Sequence, residues 1–220
     1  MIPFITAVEE LEKLIEDRKY VDDLIISMDK NIDHLLQYLT DLTSLEFSYQ
    51  YNQLTDLSKC TNLKYLFFGV KYNCVTDLSP LTNLISLCFN QNYNQKTDLS
   101  KLSNLLYLKF GGHYNQLTDL SHCNKLIKLH FECNYDQLTD LSHLTNLIHL
   151  DLGYYYNHLT DFSNLTKLTY LNLGNNYDYQ IDFSKLVNLE ILKFGEKNHQ
   201  TMDLTECKKL KQLNECIIKN

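Results

Sequence analysis

The chain has 220 residues, 44% hydrophobic and 21% charged, so it carries enough apolar mass to bury a core and lacks the composition of a disordered chain. Its formal net charge is −7, Arg18 is its only arginine, and its lysines are scattered rather than striped. That excludes a surface built to grip nucleic acid, because arginine supplies most bidentate contacts to phosphate and guanine and a basic stripe is needed to track a backbone.

The leading stretch MIPFITAVEELEKL has no basic region ahead of an apolar one, which predicts no secretory signal. No run reaches membrane-spanning length, so no membrane partner is expected. Residues 1–20 read as an N-terminal helical cap. Within residues 6–17, Thr6 and Glu9 form a capping box, and Val8, Leu11, Leu14 and Ile15 share one apolar helical face that would cover the first repeat.

Residues 21–206 repeat with a period of 21. Leu63, Leu66 and Phe68 recur as Leu84, Leu87 and Phe89, then as Leu105, Leu108 and Phe110, so each unit reads L-x-x-L-x-F. Alternation of the last apolar residues is the strand period. The register reaches back to Val21, Leu24 and Ile26 and forward to Leu210 and Leu213, losing its pattern at Glu215. This predicts about ten parallel strands in one domain, with residues 207–220 as the C-terminal cap. One unit cannot bury its own apolar face, whereas stacked units share a continuous core. Ten strands about 4.8 Å apart span roughly 45 Å.

Three columns follow each strand. Tyr51, Tyr72, Tyr93, Tyr114, Tyr135, Tyr156 and Tyr177 predict an aromatic stack with hydroxyls at the surface. Asn52, Asn73, Asn94, Asn115 and Asn157 form an inward ladder that hydrogen-bonds backbone of the adjacent repeat; Asn31 sits one period before Asn52. Asp56, Asp77, Asp98, Asp119, Asp140 and Asp161, continued by Asp182 and Asp203, begin turns, each followed two residues on by serine or threonine. Reading these carboxylates as a calcium ladder fails on oxygen count, since one aspartate per repeat is too few.

Identity lies where the frame varies, at the third and fifth positions of each L-x-x-L-x-F. Tyr65, Phe67, Tyr107, Lys109, Lys128, His130, His149, Asp151, Tyr170 and Asn172 are the expected partner-binding residues, with the aromatics as anchors. His130, His149 and Asp151 are the one group with chemical potential, as a metal site or proton-transfer pair. Ile85, Leu106, Ile127 and Ile148 stack at the second position, as either core edge or exposed interaction stripe. The seven cysteines form no C-x-x-C and predict free thiols in a reducing, cytoplasmic setting, with Cys60, Cys123 and Cys207 filling leucine slots. No cofactor is expected.

L-x-x-L-x-F with an asparagine after it resembles the leucine-rich repeat, over residues 21 to about 215. The run Phe110-Gly111-Gly112-His113-Tyr114-Asn115-Gln116 resembles the F-G-x-x-F-N-Q signature of FNIP-type repeats, found in slime moulds and in giant viruses of amoebae, with tyrosine replacing the second phenylalanine. The back segment, closest at Asp77-Leu78-Ser79-Pro80-Leu81, is instead similar to the turns of bacterial internalin-like repeats. The resemblance implies a leucine-rich-repeat solenoid with a curved parallel sheet, short turns or 3-10 segments behind it, and a non-enzymatic role as a protein-binding scaffold working through the concave face. Such repeats can be joined to an F-box, so the alternative it implies is the substrate-recognition part of a ubiquitin ligase; residues 1–20 are too short to be the F-box itself.

Overall fold

The computed structural model describes residues 3–17, 22–214 and 216–217; Val21 and Glu215, the outermost points of the sequence register, lie outside the described residues. Among the described residues, twelve short strands follow one another in chain order in a single sheet. These are β1 (Phe4–Ile5), β2 (Asp23–Ile26), β3 (Ser44–Phe47), β4 (Tyr65–Phe67), β5 (Ser86–Cys88), β6 (Tyr107–Phe110), β7 (Lys128–Phe131), β8 (His149–Asp151), β9 (Tyr170–Asn172), β10 (Ile191–Lys193), β11 (Gln212–Leu213) and β12 (Cys216–Ile217). The ten from β2 to β11 are parallel and pair in the 21-residue register, Leu66 opposite Leu87 and Leu87 opposite Leu108. Two strands extend this set at its edges: β1 joins β2 in parallel, and β12 joins β11 antiparallel.

The alternating strand residues fix which face is core. Leu66, Leu87, Leu108, Leu129, Leu150 and Leu171 are fully buried, each contributing about 1.5–3 kcal/mol by leaving water. The phenylalanines stack from coil to coil, with centroids 5.1 Å apart for Phe68–Phe89 and 5.5 Å for Phe110–Phe131. Each also lies against the tyrosine four residues on, at 3.9 Å for Phe110–Tyr114. The tyrosine rings stack more widely, 6.0 Å for Tyr93–Tyr114.

The tyrosine hydroxyls are buried, contrary to the sequence expectation. Each meets the threonine four residues later: Tyr51–Thr55, Tyr93–Thr97, Tyr114–Thr118 and Tyr156–Thr160 at 2.6 Å, and likewise Tyr72–Thr76 and Tyr135–Thr139. The threonine faces inward on extended backbone, so its hydroxyl supplies the partner that a buried phenol needs. The last tyrosine of the column breaks this rule. Ile181 replaces the threonine, and the Tyr177 hydroxyl is buried without a well-formed hydrogen bond. Burial raises that phenol to about 12, tempered by the Thr160 backbone.

Backbone polar groups between strands are satisfied by three ladders. In the first, the asparagine oxygen accepts the backbone N–H of the matching residue one coil on, at 2.9 Å for Asn73 onto Asn52, Asn94 onto Asn73 and Asn115 onto Asn94. These side chains lie on the outside of the coil, exposed at Asn52, Asn73 and Asn115, rather than inward. The ladder starts from Asp29, which accepts Asn52 N–H, while Asn31 instead accepts Asp33 N–H. Only an acceptor is needed, so Asp136 serves equally, taking Asn157 N–H at 3.1 Å. In the second ladder, Asn62, Asn83 and Asn104 each donate to a carbonyl of the preceding coil. Where lysine holds that slot, Lys125, Lys167 and Lys209 reach back to the asparagine before them, at 2.8, 2.7 and 2.7 Å. The third is the aspartate column: Ser58 N–H donates to Asp56 at 2.8 Å, and the pattern repeats through Asp77, Asp98, Asp119, Asp140, Asp161, Asp182 and Asp203.

Among the described residues, helices are confined to the first coils. Helix α1 (Val8–Glu16) buries Leu11 and packs Val8, Leu14 and Ile15 on the end of the core. Its capping residue is Glu10, not Glu9: Thr6 and Ala7 N–H both donate to the Glu10 carboxylate, at 2.8 and 3.2 Å. The helix starts one residue later than the Thr6–Glu9 spacing implies, and that shift moves the reciprocal acceptor by one. Helix α2 (Asp33–Leu36) is one turn, made by the apolar spacing of Ile32, Leu35, Leu36 and Leu39, all buried. Later coils carry successive i to i+3 bonds there, such as Leu81 N–H to Leu78 O and Leu84 N–H to Leu81 O, both 3.0 Å.

Candidate functional site

The core lies on one side of the sheet, and the other side is open. Parallel pairing sorts its residues into two rows. One row runs Tyr65, Ser86, Tyr107, Lys128, His149, Tyr170 and Ile191; the other runs Phe67, Cys88, Lys109, His130, Asp151, Asn172 and Lys193. Tyr65 is 40% exposed and Lys128 is exposed; Phe67, Tyr107, Lys109, His130, His149, Tyr170 and Asn172 are half-buried. Ser86, Cys88 and Asp151 are buried beneath their larger neighbours. At the strand entrance Ile85, Leu106 and Ile127 are half-buried and Ile148 is 39% exposed, so that column is a partly wetted edge of the same face.

The rows change character along the array. Aromatic side chains dominate from β4 to β6, and polar and charged ones from β6 to β10. Lys109 Nζ lies 2.7 Å from Glu132. Asp151 is tied down by its neighbours: Gly153 N–H donates to Oδ1 at 3.0 Å and Asn172 Nδ2 donates to the same oxygen at 3.1 Å. Its other oxygen faces His130 Nδ1 at 3.9 Å. His149 is drawn elsewhere, stacked flat on Tyr170 with centroids 4.0 Å apart. Burial holds the His149 pKa below its ordinary value, with Lys128 and His130 adding to the effect and Asp151 opposing it. The structure thus places His130 beside Asp151 but commits His149 to an aromatic contact. No group of three or more metal-ligating side chains stands close enough to hold a metal among the described residues.

Past the strand ends, the open face runs into a groove of about 820 Å³, lined by His130, Asp151, Asn172, Lys193, Tyr154 and Asn198 among others. Two glycines make its floor. Gly153 and Gly174 have φ of +78° and +74°, and a Cβ at either would overlap the carbonyl oxygen of the preceding coil, Glu132 or Gly153. Only glycine allows that conformation with so close an approach. Asn198 Nδ2 is buried there without a partner. The sequence reading placed its candidate site on the strands and did not include Glu132, Tyr154 and Asn198; the signal was the glycine after the strand motif, at Gly153, Gly174 and Gly195 as at Gly69 and Gly111.

Cys60, Cys123 and Cys207 are buried; burial pushes the thiols of Cys60 and Cys123 up to about 11. Among the described residues no helix is long and apolar enough to cross a membrane.

No family profile matches the sequence, and no curated protein does. Solved structures do. An internalin (InlF) from Listeria monocytogenes superposes with a TM-score of 0.65 at 22% identity, over 99% of this chain and 73% of that one. The functional domain of InlJ from Listeria monocytogenes, described as including a cysteine ladder, gives 0.61 at 20% identity, over 91% of this chain and 54% of that one. The fold is therefore a leucine-rich-repeat solenoid, similar to those of these internalins. The present chain has no such ladder in its described residues, for Cys60, Cys123 and Cys207 are separated by two or three leucines in their column.

Proposed function

We propose that this chain is a non-enzymatic scaffold that binds a protein partner through the concave, open face of its sheet. The carrying observation is the contrast between a frame repeated without a slip and two open rows that do not repeat. A stable sheet does not require Tyr65, Phe67 and Tyr107 on its solvent side, yet half-exposed aromatics on a rigid support are the usual anchors of a protein interface. An extended curved surface suits a protein better than a small molecule. Contact would centre on Tyr65, Phe67, Tyr107 and Lys109, and continue over Lys128, His130, His149, Asp151, Tyr170 and Asn172. The FNIP-like signature and the buried free thiols favour an intracellular, reducing setting for this scaffold.

The test is affinity capture from cell lysate with the wild-type chain and with Tyr65→Ala/Phe67→Ala/Tyr107→Ala, followed by mass spectrometry. Circular dichroism checks that the variant remains folded. The proposal expects proteins captured by the wild type and lost with the variant. An identical set on both baits would sink it.

A further inference from the structure

The back of the solenoid carries a second feature that core formation does not explain. The coil descending from the tyrosine column is extended, so successive side chains alternate in and out. Thr118 points in and is buried, Leu117 and Asp119 point out, and Leu120 is buried again. The outward apolar position recurs at Leu54, Val75, Leu117, Leu138 and Leu159, each between 60% and 66% exposed. Single exposed leucines are ordinary, whereas five in register are not. Lys96 interrupts the ridge, leaving Leu117, Leu138 and Leu159 as its unbroken part.

This part has acidic flanks. Two residues on from each leucine, Asp119, Asp140 and Asp161 form a parallel line roughly 6.7 Å away, the alternate-residue spacing of extended chain. Hydrogen bonds from Ser121, Ser142 and Ser163 hold these carboxyls below the ordinary range. On the other flank Asp136 precedes Leu138, paired with His158 at 3.2 Å. The slot three residues after the aspartate holds Lys59, Pro80, Lys101, Lys185 and Glu206 in outer coils, but His122, His143 and Asn164 beside this stretch, so no lysine fills it there. Leu138, Leu159, Asp140 and Asp161, with Thr139 and Thr160 beneath, enclose a shallow groove of about 220 Å³.

We propose that Leu117, Leu138 and Leu159, with Asp119, Asp140 and Asp161, form a second docking surface for a polypeptide segment bearing an apolar stripe flanked by lysine or arginine. Charge selects the occupant. A second copy of this chain laid ridge to ridge would bring its own acidic line against this one, and an anionic membrane would meet the same repulsion. A cationic amphipathic segment satisfies both the leucines and the carboxylates. This surface lies behind the sheet and is independent of the open face.

The experiment measures fluorescence anisotropy of a labelled synthetic leucine/lysine amphipathic peptide against the folded chain, with the leucine/glutamate counterpart as control. Wild type is expected to prefer the lysine peptide by at least about tenfold, with affinity falling as salt rises. Leu117→Gln/Leu138→Gln/Leu159→Gln removes the ridge at exposed positions and is expected to weaken binding by about tenfold or more; Leu138→Gln alone, with a smaller loss, serves should the triple variant not fold. Asp119→Asn/Asp140→Asn/Asp161→Asn keeps the oxygen that accepts the serine N–H while deleting charge, and is expected to remove most of the salt dependence. Tyr65→Ala/Tyr107→Ala is expected to bind as wild type, which separates this surface from the open face. The proposal is overturned by equal affinity for both peptides, by no binding, by ridge variants that bind unchanged, or by sedimentation showing a wild-type dimer that the leucine variant abolishes.

Discussion

Replacing Tyr114 separates what its ring contributes from what its hydroxyl contributes. The ring is 1% exposed, stacked 3.9 Å from Phe110 and 6.0 Å from both Tyr93 and Tyr135, while its hydroxyl meets Thr118 at 2.6 Å. Tyr114→Ala removes all these contacts and leaves a cavity between two coils, a loss of about 3–5 kcal/mol. Tyr114→Phe removes only the hydroxyl. Thr118 Oγ1 still donates to Gln116 O at 3.0 Å, so no buried donor is orphaned, and the cost is set by one neutral hydrogen bond at about 1 kcal/mol. The natural control is Tyr177→Phe, where no well-formed bond is lost, and the expected change is about zero or slightly stabilising. Urea unfolding followed by far-ultraviolet circular dichroism reads these differences as midpoint shifts at constant slope. In thermal scans each 1 kcal/mol corresponds to about 2–4 °C for a chain of this size. Equal losses for Tyr114→Phe and Tyr177→Phe would refute the role given to the threonine, and a Tyr114→Ala loss no larger than that of Tyr114→Phe would refute the role given to the stack.

Asp56, Asp98, Asp119, Asp140, Asp161, Asp182 and Asp203 are held below the ordinary carboxylate range by hydrogen bonds from the residue two positions on. Their contribution to stability is therefore complete above the unfolded carboxylate pKa near 4 and is lost as pH falls through the lowered folded values; urea midpoints should hold from neutral pH to about 5 and then drop, and a flat profile down to about pH 2 would contradict this. At the other extreme, burial pushes Tyr93 and Tyr135 up to about 12. A phenol harder to ionise when folded costs stability once the unfolded chain ionises, so stability falls as pH rises from about 10 to about 12; absorbance near 295 nm should show these tyrosines ionising together with loss of sheet signal, not ahead of it. Gly174→Ala places a side chain at φ +74° against the Gly153 carbonyl. A loss of roughly 2 kcal/mol or more is expected, and a wild-type urea midpoint would show that the backbone relaxes there freely.

The parts of the structure legible in the sequence are those that repeat by a fixed spacing. Leu66, Leu87 and Phe68 announced strand, register and core face together, because period 2 within the strand and period 21 between strands agree on one geometry. What was less legible depended on depth, which spacing does not carry. Leu54 and Leu57 are both apolar and three residues apart, yet one is 63% exposed and the other 1%; extended backbone puts an odd step on opposite sides. The tyrosine hydroxyl was assigned to water because the threonine four residues on, which supplies its partner, was given no role in the sequence reading. Asn31 keeps the register but leaves the ladder, since the one-turn helix α2 needs a cap and Asp29 stands where the acceptor is required. Around the open face, the two rows follow from register alone, while the groove beyond His130 and Asp151 depends on the positive φ of Gly153 and Gly174, which a strand pattern does not encode.

Because Asn52, Asn73, Asn94 and Asn115 each offer the next coil the same acceptor for the same backbone N–H, this ladder sets no preferred length in the middle of the array. Excising one whole period, from Asn94 through Tyr114, would leave Tyr93 joined to Asn115 and present Asn73 with a donor of the same kind it has now. Such coils are interchangeable parts, each carrying two open-face side chains and one ridge side chain as a set. Recombination in steps of 21 residues can thus reorder the side chains of the open rows and of the ridge while the asparagine ladder keeps its matched acceptors and donors.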